Sequence, residues 1–209
     1  MSEVLVATKG GHTRPGGGGW DLDGSPEHVR AACDASLKRL GVQAIGLYQF
    51  HRPDPSVPYA ESIGAFRDLL DAGKVQMVGI SNADPAQIDE AQQILGGRLV
   101  SVQNEFSPAF RSSEAELRRC ADLGIAFLPW SPLGGIGKAG ALGSQHAAFG
   151  EVASAHDVSP QQVTLAWMLA KSPVVIPIPG SSRPETIRDS AGAVELELSP
   201  EELVALDAA

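Results

Sequence analysis

Cysteine is almost absent from this chain. Its only two, Cys33 and Cys120, lie far apart in helix-like segments, which reads as two buried thiols and leaves no metal-ligand spacing. Basic residues are scarce too: 16 Lys and Arg stand against 25 Asp and Glu, for a net charge of −9. They are scattered, which argues against a nucleic-acid surface. No run approaches the roughly 18 consecutive apolar residues of a membrane span, and Met1-Ser2-Glu3 does not open a signal peptide. The chain therefore reads as cytoplasmic, with no membrane or nucleic-acid partner and no metal. Neither a Gly-Lys-Ser/Thr phosphate loop nor a Gly-x-Gly-x-x-Gly turn after the first strand is found, which removes two common nucleotide-binding folds.

What the chain does have is a regular alternation. β-like runs at Val4 to Thr8, Ile45 to Phe50, Val75 to Ile80, Leu99 to Val102, Ile125 to Leu128 and Val174 to Ile178 are separated by helical segments. Ser25-Pro26 and Ser159-Pro160 open helices with an N-cap serine followed by proline, and Gly41, Gly73 and Gly124 close others. Six strands at spacings of about 25 to 45 residues predict stacked βα units. The fold class is α/β, a (β/α)8 barrel type left incomplete because such a barrel has eight strands. Residues 1–209 read as one domain. Gly16 to Gly19 and Trp20 belong to a glycine-rich segment from His12 to Ser25, read as an exposed surface loop, with a substrate-side flap carrying Trp20 as the alternative.

Each strand ends in a polar or glycine cluster, where barrels of this type place their chemistry. In order these are Thr8-Lys9-Gly10, Phe50-His51-Arg52-Pro53, Ile80-Ser81-Asn82, Val102-Gln103-Asn104-Glu105, Pro129-Trp130-Ser131-Pro132-Leu133-Gly134 and Ile178-Pro179-Gly180-Ser181-Ser182-Arg183-Pro184. On its own a lysine at a strand end is a solvated charge, a histidine caps a loop, and a Ser-Asn pair does the same. The ordered series resembles the aldo-keto reductases, whose motifs look like ATK, LYQxHxPD, GxSN, QNExSP, SPLG and IPGSSRP.

The resemblance implies reduction of an aldehyde or ketone to an alcohol by hydride transfer from NADPH. It implies that Lys9 and His51 are two of the four catalytic residues. Ser81, Asn82 and Gln103 match the residues that bind the nicotinamide carboxamide, and Trp130 matches the aromatic that stacks on its ring. Ser131, Leu133 and Gly134 match the stretch beside the pyrophosphate. Gly180, Ser181, Ser182 and Arg183 match the adenosine-phosphate site, with Arg183 favouring NADPH over NADH. Asp189 stands where the family carries an adenine-side contact, a departure from its usual Glu-x-Asn.

The aspartate and tyrosine of the family's tetrad would lie in two βα units before the Lys9 strand, so the barrel is expected to lack them. Tyr48 does not replace the missing acid. Three residues before His51 in an alternating strand, it should point to the helices. The alternative function is then an NADP(H)-binding module or an inactive fragment. An open barrel also predicts self-association, because the first and last strands would present unpaired apolar edges.

Overall fold

The computed structural model describes residues 4–135 and 137–209. Met1, Ser2 and Glu3, the basis of the signal-peptide reading, lie outside the described residues. The chain gathers into two compact units, Met1–Gln103 and Asn104–Ala209.

The first unit is built on parallel strands β1 (Ala7–Gly10), β4 (Ile45–Phe50), β5 (Val75–Ser81) and β6 (Leu99–Gln103), paired in that order. Between them run α1 (Pro26–Leu40), α2 (Tyr59–Asp71) and α3 (Pro85–Ile94). The predicted caps hold. Ser25 Oγ accepts from the His28 amide and Gly41 closes α1 in the left-handed region, while α3 adds a cap that was not predicted, a reciprocal capping box of Asp84 and Gln87. Val29, Cys33, Ile63, Phe66, Ile88 and Ala91 fill the helix side of the sheet. Tyr48 faces them as predicted: its hydroxyl donates to the Val29 carbonyl at 3.1 Å, and its ring stacks on Phe66.

The second unit holds α4 (Glu114–Leu123), the short strand β7 (Ala126–Phe127), α5 (Leu142–Gln145), α6 (Ala147–His156), α7 (Pro160–Lys171), α8 (Pro184–Ala191) and α9 (Pro200–Ala208). Its centre is aromatic. Trp167 stacks on Phe106 and meets Phe149 edge-on, and its indole N–H donates to Asp207 at 2.7 Å. Both cysteines are free and buried, Cys33 in the first unit and Cys120 in the second.

Three strand predictions need correction. The first strand begins three residues and ends two residues later than predicted, so Lys9 and Gly10 lie inside it rather than after it. Glycine is tolerated there because a Cβ on Gly10 would fall 2.0 Å from the Tyr48 hydroxyl oxygen. The segment from His12 to Ser25 is not simply a loop: β2 (His12–Thr13) and β3 (Asp21–Leu22) pair antiparallel, with the glycine run as the exposed tip. The last predicted strand, Val174 to Ile178, makes only one isolated parallel bridge, Phe127 to Val175. The segment keeps three ladder bonds, Phe127 N–H on the Val174 carbonyl, Ile176 N–H on the Phe127 carbonyl and Ile178 N–H on the Pro129 carbonyl, and Pro129, with no amide hydrogen, cannot donate one back to it. The fold is α/β of the (β/α)8 type, incomplete. No helix among the described residues is long and apolar enough to cross a membrane.

Candidate active site

In the first unit the predicted residues gather at the carboxyl ends of adjacent strands. Register places Lys9 of β1 opposite Gln49 of β4, and the His51 amide donates to the Gly10 carbonyl at 2.9 Å. Lys9 is half-buried with no ion-pair partner among the described residues, and desolvation lowers its pKa. His51 is pushed down to about 4, chiefly by burial, then by His12, Lys9 and Arg52. Its ring is therefore neutral at neutral pH, a state that can donate one N–H to an oxygen while keeping its proton.

Ser81 and Asn82 tie three strand ends together. Ser81 Oγ donates to the Gln103 carbonyl at 2.5 Å, and the Asn82 amide N–H donates to the same carbonyl at 3.1 Å. Asn82 Nδ2 donates to the His51 carbonyl at 3.0 Å and to Ser81 Oγ at 3.1 Å. Asn82 adopts φ 56°, a left-handed conformation uncommon outside glycine and most accessible to Asn and Asp. Loop fastening is thus a task these two residues perform, and it fixes the His51 backbone. Gln103 is buried at the end of β6.

Below this edge Lys9, Gln49, Gly79 and Ser101 lie in register across the sheet. Gln49 Nε2 and Ser101 Oγ are buried without a hydrogen-bond partner among the described residues. They face the space above Gly79, where a Cβ would lie 2.3 Å from Ser101 Oγ and 3.0 Å from Gln49 Cγ.

The sequence reading missed how the β2–β3 hairpin meets His51. His12 stacks on the His51 ring with centroids 4.0 Å apart and planes at 28°, and Trp20 meets both rings edge-on or tilted. Arg14 covers Trp20 at 4.0 Å. The hairpin's base is clamped by Asp23 N–H on the Gly11 carbonyl and by Asp54, whose buried carboxylate accepts from Gly24 N–H at 2.8 Å and from Ser56 N–H and Oγ. These bonds hold the Asp54 carboxyl below its ordinary range. A glycine-rich segment with a histidine at its start was the only available signal, and nothing in it states which ring that histidine meets.

The second unit carries the remaining predicted residues around two clefts. Ser131 and Leu133 share a cleft of about 460 Å³ with Gly180, Ser181 and Ser182. Leu133 also lines a neighbouring cleft of about 620 Å³ with Ser181, Ser182, Arg183 and Asp189. Ser131 takes φ 50°, and its carbonyl accepts from Gly134 N–H at 2.9 Å, closing a tight turn. Trp130 is half-buried and pairs in parallel with Glu105. The Arg183 side chain is two-thirds exposed, and among the described residues its guanidinium makes a single 3.9 Å contact, with Glu185. It is the N-cap residue of α8, where no side chain caps the helix. A phosphate fits such a place: a mobile guanidinium beside a helix N-terminus, with serine hydroxyls around it. Asp189 lines the cleft while its carboxylate accepts from Ser159 Oγ at 2.6 Å, tying α8 to the start of α7. No group of three or more His, Cys, Asp or Glu side chains suited to a metal is found among the described residues.

The model of the Aldo/keto reductase family matches residues 1–209. An uncharacterized oxidoreductase of Schizosaccharomyces pombe is 37% identical over 204 residues, covering 98% of this chain and 65% of that protein. "Probable aldo-keto reductase 1" of Glycine max is 34% identical, covering 96% of this chain and 65% of that protein. The chain thus spans about two thirds of the length of these relatives. Among solved structures, a thermostable aldo-keto reductase in complex with the inhibitor epalrestat superposes with a TM-score of 0.79 at 28% identity, over 88% of this chain and 66% of that one. Aldose reductase from Giardia lamblia gives 0.82 at 24% identity, over 98% and 71%, a likeness of fold.

Proposed function

The chain belongs to the aldo/keto reductase family, and from that premise we propose that it reduces an aldehyde or ketone to an alcohol with NADP(H) as cofactor. The observation that carries this reading is the pairing of a partly desolvated Lys9 with a neutral His51 at adjacent strand ends. When bound, NADPH supplies the hydride. As the carbonyl carbon is reduced, negative charge builds on its oxygen, and a donor already aimed at that oxygen lowers the barrier. His51 provides the N–H, the Lys9 ammonium favours the developing charge, and the proton that completes the alcohol would come from solvent. Ser81, Asn82, Gln103 and Trp130 would hold the nicotinamide end. Ser131, Leu133, Gly134 and the Gly180 to Arg183 stretch would hold the phosphates, with Arg183 reading the 2′-phosphate that separates NADPH from NADH.

One observation favours the second reading, a cofactor-binding module without turnover. The sequence has two tyrosines, and neither is placed to act as the acid. The Tyr48 hydroxyl is spent on the Val29 carbonyl, and that of Tyr59 is buried without a partner. Burial raises the pKa of both. The expected substrate is a small carbonyl compound, in a cytoplasmic setting without nucleic acid or membrane. Exposed Leu5, Val6, Ile176 and Ile178 support self-association through apolar edges.

Binding of NADPH, followed by fluorescence quenching, tests what both readings share. Oxidation of NADPH that depends on a reactive aldehyde, and is lost in Lys9→Met and His51→Ala, supports the reductase. Binding without any such oxidation selects the module, and turnover that survives both substitutions defeats the residue assignment.

A further inference from the structure

The backbone of His51 is fastened from both sides, by the Gly10 carbonyl and by Asn82 Nδ2, but among the described residues no hydrogen bond orients its ring. What lies against that ring is His12, nearly parallel at 4.0 Å, with the edge of Trp20 at 6.4 Å. His12 is brought there by construction. Gly11, at φ +105°, turns the chain out of β1, and a Cβ at that position would strike the Phe50 ring at 2.7 Å. The pairing of β2 with β3 and the clamp of Asp54 on Gly24 then hold the hairpin's base.

The surroundings of the ring pair are cationic. Lys9 comes from β1 and Arg52 follows His51, while Arg14 lies on Trp20. The acids of the neighbourhood are turned elsewhere: Asp23 bonds Ser25 and pairs with His28, Asp54 bonds Gly24 and Ser56, and Asp21 is exposed on β3. Two imidazoles face to face in such a setting cannot both carry a proton without strong repulsion.

We propose that His12 is a positioning residue that acts through His51: the hairpin lays its imidazole on the His51 ring, fixing the plane of that ring and favouring its neutral form toward a carbonyl oxygen. The proposal rests on the reading of His51 as the carbonyl-facing histidine. Burial and Arg52 lower the pKa of His12 itself, in keeping with a neutral pair. The role is separate from loop packing, because a ring placed only to fill space would act on its neighbour through burial alone, an effect that His12→Phe keeps.

The test is a pH titration of the histidine ring resonances, by nitrogen-15 NMR, in the 209-residue chain and in its His12→Ala and His12→Phe variants. The wild-type His51 midpoint is expected near 4. His12→Ala should raise it by about one pH unit, and His12→Phe, which keeps a ring on His51 and removes only the charge, by less. In the aldehyde assay the acid limb of the rate should move up with the same midpoint, and His12→Phe should recover most of the rate lost in His12→Ala. A His51 midpoint unchanged in both variants overturns the proposal, whatever the rate does. If His51→Ala leaves the rate intact, the carbonyl-facing role is what fails, and the titration still decides whether the ring pair sets the protonation of His51.

Discussion

At the strand ends of the first unit, His51, Ser81, Asn82 and Gln103 are bonded to one another through side chains and carbonyls. In the second unit, the Arg183 side chain stands two-thirds exposed beside a helix start, its guanidinium making a single long contact among the described residues, to Glu185. Under the proposed function, the difference follows from what each set of residues would do. Groups that meet a developing charge work only if they are held in place beforehand, so they are fixed by packing and hydrogen bonds. Groups that grip a phosphate can leave donors open for the ligand to complete, because a charge-assisted hydrogen bond supplies its own geometry.

The contrast predicts its largest effect on the reaction side. Lys9→Met and His51→Ala should each lower aldehyde reduction by about 10²- to 10⁴-fold, the scale of one group acting on proton or charge in the transition state. Steady-state rates with KM measured alongside check this, and a loss confined to KM would make either residue a binding group.

Stability should show the same asymmetry. Gly10→Ala places a Cβ 2.0 Å from the Tyr48 hydroxyl oxygen and should cost about 1–3 kcal/mol. Gly180→Ala meets nothing within 4 Å and should change stability by less than about 0.5 kcal/mol. Urea denaturation measures both, and equal costs would show the first unit's strand end to be looser than described.

A further effect is expected on pH dependence. His51 has a folded pKa of about 4 against an ordinary 6.5. The unfolded chain therefore takes up the proton first, so the His51 contribution to stability is full above pH 6.5 and is lost as pH falls through 4. The depressed Asp54 carboxyl acts with the same sign at lower pH, below its ordinary 3.8. His51→Gln should flatten the decline between pH 6.5 and 4, read from denaturation midpoints at the two ends of that window.

Much of the scaffold was legible in the sequence, because helix caps, strand alternation and polar strand ends are local signals. Ser25, Gly41 and Gly124 mark helix ends by their own chemistry, and Tyr48 faces the helices because side chains alternate along a strand. Pairing partners decided the rest. Gly10 lies within a strand because Tyr48 fills the space a side chain would take, and Val174 to Ile178 pairs through three hydrogen bonds because Pro129 on the facing segment has no amide hydrogen to donate back. The stacking of His12 on His51 joins residues 39 positions apart through a glycine turn, and no periodicity encodes it. Likewise, a Ser-Asn pair reads equally as a cap or a ligand until its hydrogen bonds are seen.

The central claim, that the open end of the second unit reads a 2′-phosphate, is tested most directly by titrating NADPH and NADH into the wild-type chain and Arg183→Ala. NADPH affinity should fall by about 1.5–3 kcal/mol in the variant, the worth of a hydrogen bond to a charged group, while NADH affinity stays nearly unchanged. Equal losses for both cofactors, or no saturable binding of NADPH to the wild-type chain, would contradict it.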